Sequence, residues 1–289
     1  MEGLSNIGTI KEILGRHGFT FSKGLGQNFL INPSVCPRMA EECGAKKGVG
    51  VLEVGPGIGV LTNELCKLAD KVVSVELDKR LIPVLGETLA EYDNFTLINA
   101  DIMELDLKAV IEEHFKGLDV VVCANLPYYI TSPVVMKLLE EKLPIKSITV
   151  MVQKEAAERL TAPVGSRESG AVTVAVNYYS TAETLFNVSR GSFMPSPNVD
   201  SAVIKLVIKD RPDFELANER DFRRVVKAGF SQRRKTLSNS LASSLGIDKP
   251  TVNKLIEKAG LPPTVRAEKL TLEDFGKLAN CLTEYENEQ

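Results

Sequence analysis

The tetrapeptide Asn125-Leu126-Pro127-Tyr128 combines groups that could hold an aromatic amine and increase its reactivity. The exocyclic amine of adenine is a poor nucleophile because its lone pair is delocalised into the ring. The side-chain carbonyl of Asn125 and the backbone carbonyl of Leu126 could accept both amine hydrogens and favour a tetrahedral, nucleophilic nitrogen. Pro127 restricts the residue before it, and Tyr128 could stack on the base, a contact worth about 1–3 kcal/mol. An Asn-Pro turn with core tyrosines is the alternative interpretation.

A glycine-rich loop, Glu53–Gly59, lies earlier in the chain with the spacing GxGxG. Glycines let a backbone turn sharply and approach a ligand closely. The spacing differs from the GxGxxG that binds a dinucleotide pyrophosphate. Glu76 and Asp101 end the next two predicted strands, where they suit ribose hydroxyls and an adenine amine. These residues together predict a pocket for a nucleoside-type cofactor, and the alternative is simple turns with surface carboxylates.

The elements that must position these residues alternate between strand and helix patterns. The predicted strands are Val49–Val54, Val72–Leu77, Phe95–Ala100, Val120–Ala124 and Ile148–Val152, and the predicted helices are Val60–Leu68 and Lys79–Tyr92. This alternation predicts βαβ units and an α/β fold, with a buried parallel sheet covered by helices on both faces. Leu185–Val188 and Ala202–Ile208 predict a hairpin-like antiparallel edge. Ligands bind such sheets at the carboxyl ends of the strands.

The pattern changes near Lys209–Pro212, where apolar residues take helical spacing. We therefore predict a domain of residues 1–210, with residues 1–28 as an N-terminal extension, and a small all-α domain of residues 211–289.

The net charge of −3 over 289 residues argues mildly against a nucleic-acid partner when it is taken as one number. Residues 1–210 carry a net −5, whereas residues 222–260 carry a net +7. Because this region is strongly basic, the net charge of the whole chain does not argue against a nucleic-acid partner. No apolar run approaches the roughly 18 residues of a membrane span, and the first residues lack a signal-peptide pattern. We expect a cytoplasmic protein without a membrane partner.

The five cysteines form no CxxC pair, and His17 and His114 are the two histidines of the chain. This composition argues against a disulfide framework, a metal site and a Cys-His or Ser-His hydrolytic site. Buried free thiols are the favoured interpretation.

Having these motifs, the chain resembles the ribosomal RNA adenine dimethyltransferases, within the class I S-adenosylmethionine-dependent methyltransferases with a Rossmann-like sheet. It is most similar to the housekeeping small-subunit type. The motifs that carry the resemblance are Gly26–Leu30, Glu53–Gly59, Asn125–Tyr129, Gln153–Glu155, Ala157–Leu160, Phe193–Pro197, Val199–Ser201, Phe230, Arg233–Lys235, Leu237 and Arg266–Leu270.

The resemblance implies a role for each matching residue. The residues implied to bind S-adenosylmethionine are Asn28, Leu30, Gly55, Gly57, Glu76, Asp101, Ile102 and Asn125. Those implied to act on the target base are Asn125, Leu126, Pro127, Tyr128 and Phe193, with Tyr128 and Phe193 on either side of the ring. The implied product is S-adenosylhomocysteine, and no metal is required.

The resemblance also implies a substrate: two adjacent adenosines, each methylated twice, in a hairpin loop near the 3′ end of small-subunit ribosomal RNA. The partner is then the assembling small ribosomal subunit, and we expect the chain to act as a monomer.

Six basic residues lie within a stretch of thirteen residues that contains no acid: Arg223, Arg224, Lys227, Arg233, Arg234 and Lys235. On helices they would present a positive face to RNA phosphates. The alternative is a solvated face whose arginines pair with Asp210, Glu215 or Asp221. The basic and aromatic segment 16–23 could become ordered on RNA, or could be a tail without a role before substrate arrives.

Two other functions compete with the main hypothesis. A large-subunit RNA adenine methyltransferase of the antibiotic-resistance type would share the chemistry, although Arg233–Lys235 and Gly26–Leu30 favour the small-subunit type. A non-catalytic assembly or transcription factor would share the fold, although the intact Glu76, Asp101 and Asn125–Tyr128 argue against lost catalysis. A nicotinamide-dependent dehydrogenase fits least well because the glycine spacing is wrong for it.

Overall fold

The computed structural model describes residues 3–19, 28–232 and 234–289. The strands within these ranges are β1 Phe29–Leu30, β2 Val49–Val54, β3 Lys71–Glu76, β4 Phe95–Asn99, β5 Asp119–Asn125, β6 Ser147–Gln153, β7 Ser180–Val188, β8 Phe193–Met194 and β9 Ser201–Ile208. The helices are α1 Ile7–Arg16, α2 Val35–Glu42, α3 Val60–Leu68, α4 Ile82–Thr88, α5 Leu107–His114, α6 Thr131–Glu140, α7 Lys154–Thr161, α8 Ala171–Tyr179, α9 Glu219–Phe230, α10 Leu237–Leu245, α11 Lys249–Lys258 and α12 Leu272–Asn287.

The described chain divides into two compact units. One comprises Met1–Ala157 with Ala182–Ile208, and the other comprises Glu158–Thr181 with Lys209–Gln289. The predicted boundary after residue 210, between a domain of residues 1–210 and an all-α domain of residues 211–289, stays a prediction. None of the helices in the described ranges is both long and apolar enough to cross a membrane.

The first unit contains a seven-stranded sheet in the order β4-β3-β2-β5-β6-β9-β7. The five strands from β4 to β6 are parallel to their neighbours, and β9 runs antiparallel to β6. The predicted α/β fold with a parallel sheet is therefore confirmed. The parallel register places Val54 opposite both Val75 and Ala124, so the loops after β2, β3 and β5 emerge side by side.

Every residue of β2 is buried, as expected for a central strand covered on both faces. Val49 and Val51 pack in one core cluster with Met39 of α2 and Leu65 of α3. Leu52 is fully buried as well, and it points to the opposite face because side chains alternate along a strand.

Two predicted elements differ from the structure. Phe95–Ala100 is not a buried strand, because β4 is the edge of the sheet and its residues are only half-buried or exposed. The single helix predicted over Lys79–Tyr92 is a 3-10 turn, Lys79–Leu81, followed by the short helix α4. The chain turns after α4, and the Tyr92 amide donates to the Leu89 carbonyl at 3.0 Å.

The N-terminal segment packs on the first unit through α1. Ile10 and Ile13 share a core cluster with Phe29, Val84 and Leu85. Residues 20–27, which include Gly26 and Gln27 of the first motif, lie outside the described residues.

The second unit is helical, as the spacing of apolar residues after residue 211 predicts. Its core brings together Tyr178 of α8, Phe222 of α9 and Phe275 of α12. The Tyr178 and Phe222 rings lie 4.7 Å apart between centroids, a close aromatic contact.

Gly50 in β2 is required by packing. A Cβ at this position would lie 2.2 Å from Cδ1 of Phe115, a residue that is 3% exposed. We expect Gly50→Ala to lower the free energy of unfolding by about 1–3 kcal/mol through overpacking, measured by urea denaturation. Gly86→Ala is the control, since no atom lies within 4 Å of its Cβ in α4, and it should raise stability by about 0.5–1 kcal/mol. Equal effects of the two substitutions would contradict this interpretation.

Candidate active site

A cavity of about 260 Å³ opens at the carboxyl ends of the parallel strands. It is lined by every residue predicted to bind the cofactor or the base: Asn28, Leu30, Gly55, Gly57, Glu76, Asp101, Ile102, Asn125, Leu126, Pro127, Tyr128 and Phe193. These residues come from chain segments as far apart as residues 28 and 193, and the sheet register brings them to one place.

The glycine loop joins β2 to α3 and forms one wall of the cavity. Its amide at Gly55 donates to the Val75 carbonyl at 2.9 Å, which fixes the start of the loop against β3. Gly57 has a φ of +60°, and a Cβ there would lie 3.3 Å from the Phe29 ring. Gly57 is therefore needed both for its left-handed backbone and for the close approach of Phe29.

Glu76 is a buried carboxylate at the end of β3. It is 7% exposed and accepts hydrogen bonds from the backbone amides of Asp78 at 2.9 Å and Gly57 at 3.4 Å. Burial raises the pKa of Glu76, against the lowering effect of these two amides. The amides hold the carboxylate in one orientation in the cavity wall. Glu76 is thus not a surface carboxylate.

Asp101 follows β4 and is held in a tight turn. Its Oδ1 accepts from the Met103 amide at 2.8 Å, and its backbone carbonyl accepts from the amides of Glu104 and Leu105 at 3.1 Å each. Oδ2 accepts no hydrogen bond from any described residue. The turn thus leaves one carboxylate oxygen in the cavity wall for a ligand donor such as an amine.

The segment Asn125–Tyr129 leaves β5 beside the glycine loop. The Leu126 amide donates to the Met151 carbonyl at 3.2 Å, and the Tyr128 hydroxyl is 2.9 Å from Oγ of Ser201. Burial raises the pKa of Tyr128, so its hydroxyl stays protonated. The side-chain amide of Asn125 makes no hydrogen bond with the described residues. Its carbonyl is consequently available to a ligand.

Phe193 enters the wall through a two-stranded pairing. β1 and β8 are antiparallel, with Leu30 opposite Phe193. The Ile31 amide extends this pairing by donating to the Ser192 carbonyl at 2.8 Å. Phe193 is 4% exposed and packs in the core cluster of Leu30. Only a small part of its ring therefore faces the cavity, and its place beside the target base stays a prediction.

Glu53 is a residue of the cavity wall that the sequence motifs do not assign to the site. It lies at 1% exposure in β2 and lines the cavity. The hydroxyls of Thr62 and Ser74 both donate to its Oε2, at 2.7 and 2.6 Å. Burial raises the pKa of Glu53 to about 7, and the charge of Glu76 acts in the same direction. A carboxylate inside the otherwise apolar run Val49–Val54 was the sequence signal that could have identified it.

Large hydrophobic side chains are exposed at the mouth of the cavity. Leu77 is 50% exposed, Met103 40% and Tyr129 55%, and all three line the opening. Exposed apolar groups around a cavity are typical of a surface that binds a ligand or partner.

The basic residues of the second unit have different surroundings. Arg224 pairs with the buried Asp221 at 2.8 Å and with both carboxylate oxygens of Glu286 at 2.7 and 2.8 Å. These hydrogen bonds raise the pKa of Arg224. For Arg224, the alternative of pairing with Asp221 is therefore the observed one.

The other basic residues that are predicted to contact RNA differ in exposure. Arg223 lies 3.8 Å from Glu219, and Lys227 is exposed. Arg234 and Lys235 are exposed and form no ion pair with a described residue. Arg233 lies outside the described residues. The predicted RNA contacts of this group stay predictions.

The cavity fits S-adenosylmethionine by its own chemistry. Gly57 lines the cavity with backbone in the left-handed region, and the buried carboxylates of Glu53 and Glu76 line the space that a cation would enter. Within the described ranges, no group of three or more His, Cys, Asp or Glu side chains could hold a metal ion. The residues that would hold the donor are the glycine loop, Glu76 and Asp101.

Comparison with known proteins identifies relatives over nearly the whole chain. The family model for ribosomal RNA adenine dimethylase matches residues 18–284. A ribosomal RNA small subunit methyltransferase A of Bacillus mycoides is 45% identical over 286 residues, which are 98% of this chain and 98% of the relative. Proteins of the same name from Bacillus cereus and Bacillus anthracis share the same identity and coverage.

Two solved structures have similar folds. A dimethyladenosine transferase from Plasmodium falciparum has a TM-score of 0.71 and 28% identity, covering 90% of this chain and 98% of its own. A 23S rRNA methyltransferase has a TM-score of 0.62 and 27% identity, covering 89% of this chain and 100% of its own.

Gly57→Ala tests whether the glycine loop holds the donor. A left-handed alanine costs about 1–2 kcal/mol, and the new Cβ would displace the loop from the Phe29 ring. We expect the Kd for S-adenosylmethionine to rise about tenfold, measured by calorimetry. Gly117→Ala is the matched control, because Gly117 also has a positive φ, of +77°, but lies in an exposed turn before β5. Unchanged donor affinity in Gly57→Ala would contradict the assignment.

Proposed function

This chain belongs to the ribosomal RNA adenine dimethylase family, and from that premise we propose that it methylates small-subunit ribosomal RNA. The proposed targets are the exocyclic amines of two adjacent adenosines in a hairpin loop near the 3′ end, each methylated twice. The proposed partner is the assembling small subunit in the cytoplasm, where the chain acts as a monomer. The chain is an S-adenosylmethionine-dependent methyltransferase.

One observation carries the proposal most directly. The amide of Asn125, which no described residue engages, lies in the same cavity as the buried carboxylate of Glu76 and the free oxygen of Asp101. The amide proposed to bind the base and the two carboxylates proposed to bind the nucleoside cofactor therefore line the same cavity. This juxtaposition is what transfer from a nucleoside cofactor to a base amine requires.

The comparisons favour the small-subunit substrate over the large-subunit alternative. The relatives named small-subunit methyltransferases are 45% identical over nearly their full length. The 23S rRNA methyltransferase is 27% identical. The site favours an enzyme over a non-catalytic factor, because Glu76, Asp101 and Asn125–Tyr128, which the methyl transfer needs, are all present and line the cavity.

The residues of this chain act mainly by positioning and polarisation. The donor supplies a methyl group on a sulfonium. The carbonyls of Asn125 and Leu126 accept the amine hydrogens and direct the nitrogen lone pair toward the donor side of the cavity. Tyr128, held by Ser201, provides the stacking surface. The methylated nitrogen is acidic and loses its proton to water, so the site needs no general base.

The direct test uses labelled S-adenosylmethionine with under-methylated small subunits, and with large subunits as a separate substrate. We expect label in dimethylated adenosines of the small-subunit RNA, mapped by nuclease digestion and mass spectrometry. Label confined to large-subunit RNA would transfer the proposal to that substrate. The absence of label in any RNA adenine would refute it.

Asn125→Ala isolates the proposed role of the side-chain amide. We expect single-turnover methylation to fall at least 10²-fold, the size of effect seen when one polarising hydrogen-bonding group is removed. Donor affinity should fall much less, because Glu76 and Asp101 remain. Asn287→Ala is the control, since Asn287 is exposed at the end of α12. Full turnover in Asn125→Ala would rule out the assigned role.

The basic residues are tested by the salt dependence of RNA binding. The double substitution Arg234→Gln with Lys235→Gln should reduce the slope of log K against log salt by about 1.5, because two phosphate contacts are lost. Arg224→Gln should instead lower the free energy of unfolding by about 1–3 kcal/mol, because it leaves Asp221 buried without its partner. An unchanged salt slope in the double variant would remove these residues from the RNA contact.

A further inference from the structure

Glu53 is a buried carboxylate without a neutralising partner. Its Oε2 receives both hydroxyl hydrogen bonds, whereas its Oε1 accepts no hydrogen bond from the described residues. The side chain lines the cavity at 1% exposure and forms no ion pair within the described part of the chain. Burying an unpaired charge is unfavourable. The structure therefore suits a positively charged ligand group in this cavity.

The groups that face Glu53 come from each element packed around it. On the apolar side they are thiols: Cys36 and Cys43 at the two ends of α2, Cys66 of α3 and Cys123 of β5. Burial raises the pKa of Cys36 and Cys66. A hydrogen bond between Cys43 and Cys123 raises the pKa of Cys123 and lowers that of Cys43, whose S–H also donates to the Ala40 carbonyl at 3.1 Å. None of these four thiols offers Glu53 a positive charge.

On the cavity side, the charged neighbour of Glu53 is Glu76 of β3. A second carboxylate disfavours ionisation of the first. Burial and the charge of Glu76 both disfavour the ionised form of Glu53 in the ligand-free protein. A cation bound in the cavity would favour the ionised form by offsetting both effects.

We propose that Glu53 makes the cavity discriminate between the sulfonium of the methyl donor and the uncharged thioether of the spent product. S-adenosylmethionine carries a sulfonium charge that S-adenosylhomocysteine lacks. Glu53 is ionised when the donor is bound and takes up a proton from solvent when the product replaces it. The ratio of donor affinity to product affinity therefore rises with pH until Glu53 is ionised in the empty cavity as well. This role of Glu53 involves only the methyl donor and its product, so it does not depend on which RNA is methylated.

The size of the effect follows from the ionisation of Glu53 before binding. A group with a pKa of about 7 is ionised in about one molecule in eleven at pH 6 and about ten in eleven at pH 8. If the donor complex requires the ionised form, the affinity ratio rises about tenfold between these pH values. The sign is fixed, because a carboxyl whose pKa falls on binding releases a proton.

The experiment is calorimetric titration of the full chain with S-adenosylmethionine and with S-adenosylhomocysteine at pH 6, 7 and 8. Each titration is run in two buffers of different ionisation enthalpy, which gives the number of protons released. We expect greater proton release with the donor than with the product at pH 6, and a ratio of affinities that rises about tenfold to pH 8. Both ligands carry the same amino group, so its own titration largely cancels in the comparison.

Glu53→Gln should make the affinity ratio independent of pH and abolish the difference in proton release. The same pH dependence in Glu53→Gln as in the wild type would overturn the proposal.

Ser74→Ala provides a second test that keeps the carboxylate. It removes one hydroxyl that stabilises ionised Glu53, so the rise in the ratio of donor affinity to product affinity should occur at a measurably higher pH than in the wild type. Ser147→Ala, which removes a buried hydroxyl from β6, should leave the profile unchanged. Thermal unfolding confirms that each variant is folded. A folded Ser74→Ala protein with the wild-type pH profile would also overturn the proposal.

Discussion

The parallel pairing of β2 with β3 and β5 is the constraint on which the site depends. It fixes the carboxyl end of each strand next to that of its neighbour, with Val54 opposite Val75 and Ala124. Glu76 and Asn125 are the last residues of β3 and β5, and the glycine loop follows β2 directly. The distances between these three parts of the site are therefore set by the hydrogen bonds between the strands rather than by the loops. The loops only complete this geometry, through the Gly55 amide and the turn at Asp101.

Much of this arrangement could be predicted from the sequence because it follows from local patterns. The apolar run Val49–Val54 and the helix Val60–Leu68 have the predicted bounds, since burial on both faces and helical spacing are visible in the residues themselves. The predicted pocket residues of the glycine loop, Glu76, Asp101 and Asn125–Tyr128 line one cavity because they lie at or after the ends of neighbouring strands. Asn28, Leu30 and Phe193 reach the same cavity through the separate pairing of β1 with β8.

The parts that the sequence could not give are those that depend on tertiary neighbours. Whether Phe95 lies in a buried or an edge strand depends on the strand order, which a single segment does not encode. Glu53 looked like the first residue of a loop motif, because its hydroxyl partners Thr62 and Ser74 are 9 and 21 residues away. Arg224 counted toward a positive stretch, although Glu286, 62 residues later, neutralises it. A local sum of charges is therefore an upper limit on the charge offered to RNA.

The pairing of β1 with β8 has a consequence for the order in which the cavity is assembled. Leu30 and Phe193 are adjacent in the structure but 163 residues apart in the chain. During synthesis, the glycine loop, Glu76 and Asn125 are all made before the partner of Leu30 exists, and closing so long a loop carries an entropic penalty. A growing chain therefore contains the glycine loop, Glu76 and Asn125 well before it contains Phe193, and the part of the cavity wall formed by the β1–β8 pairing can be completed only in a polypeptide extended past Met194.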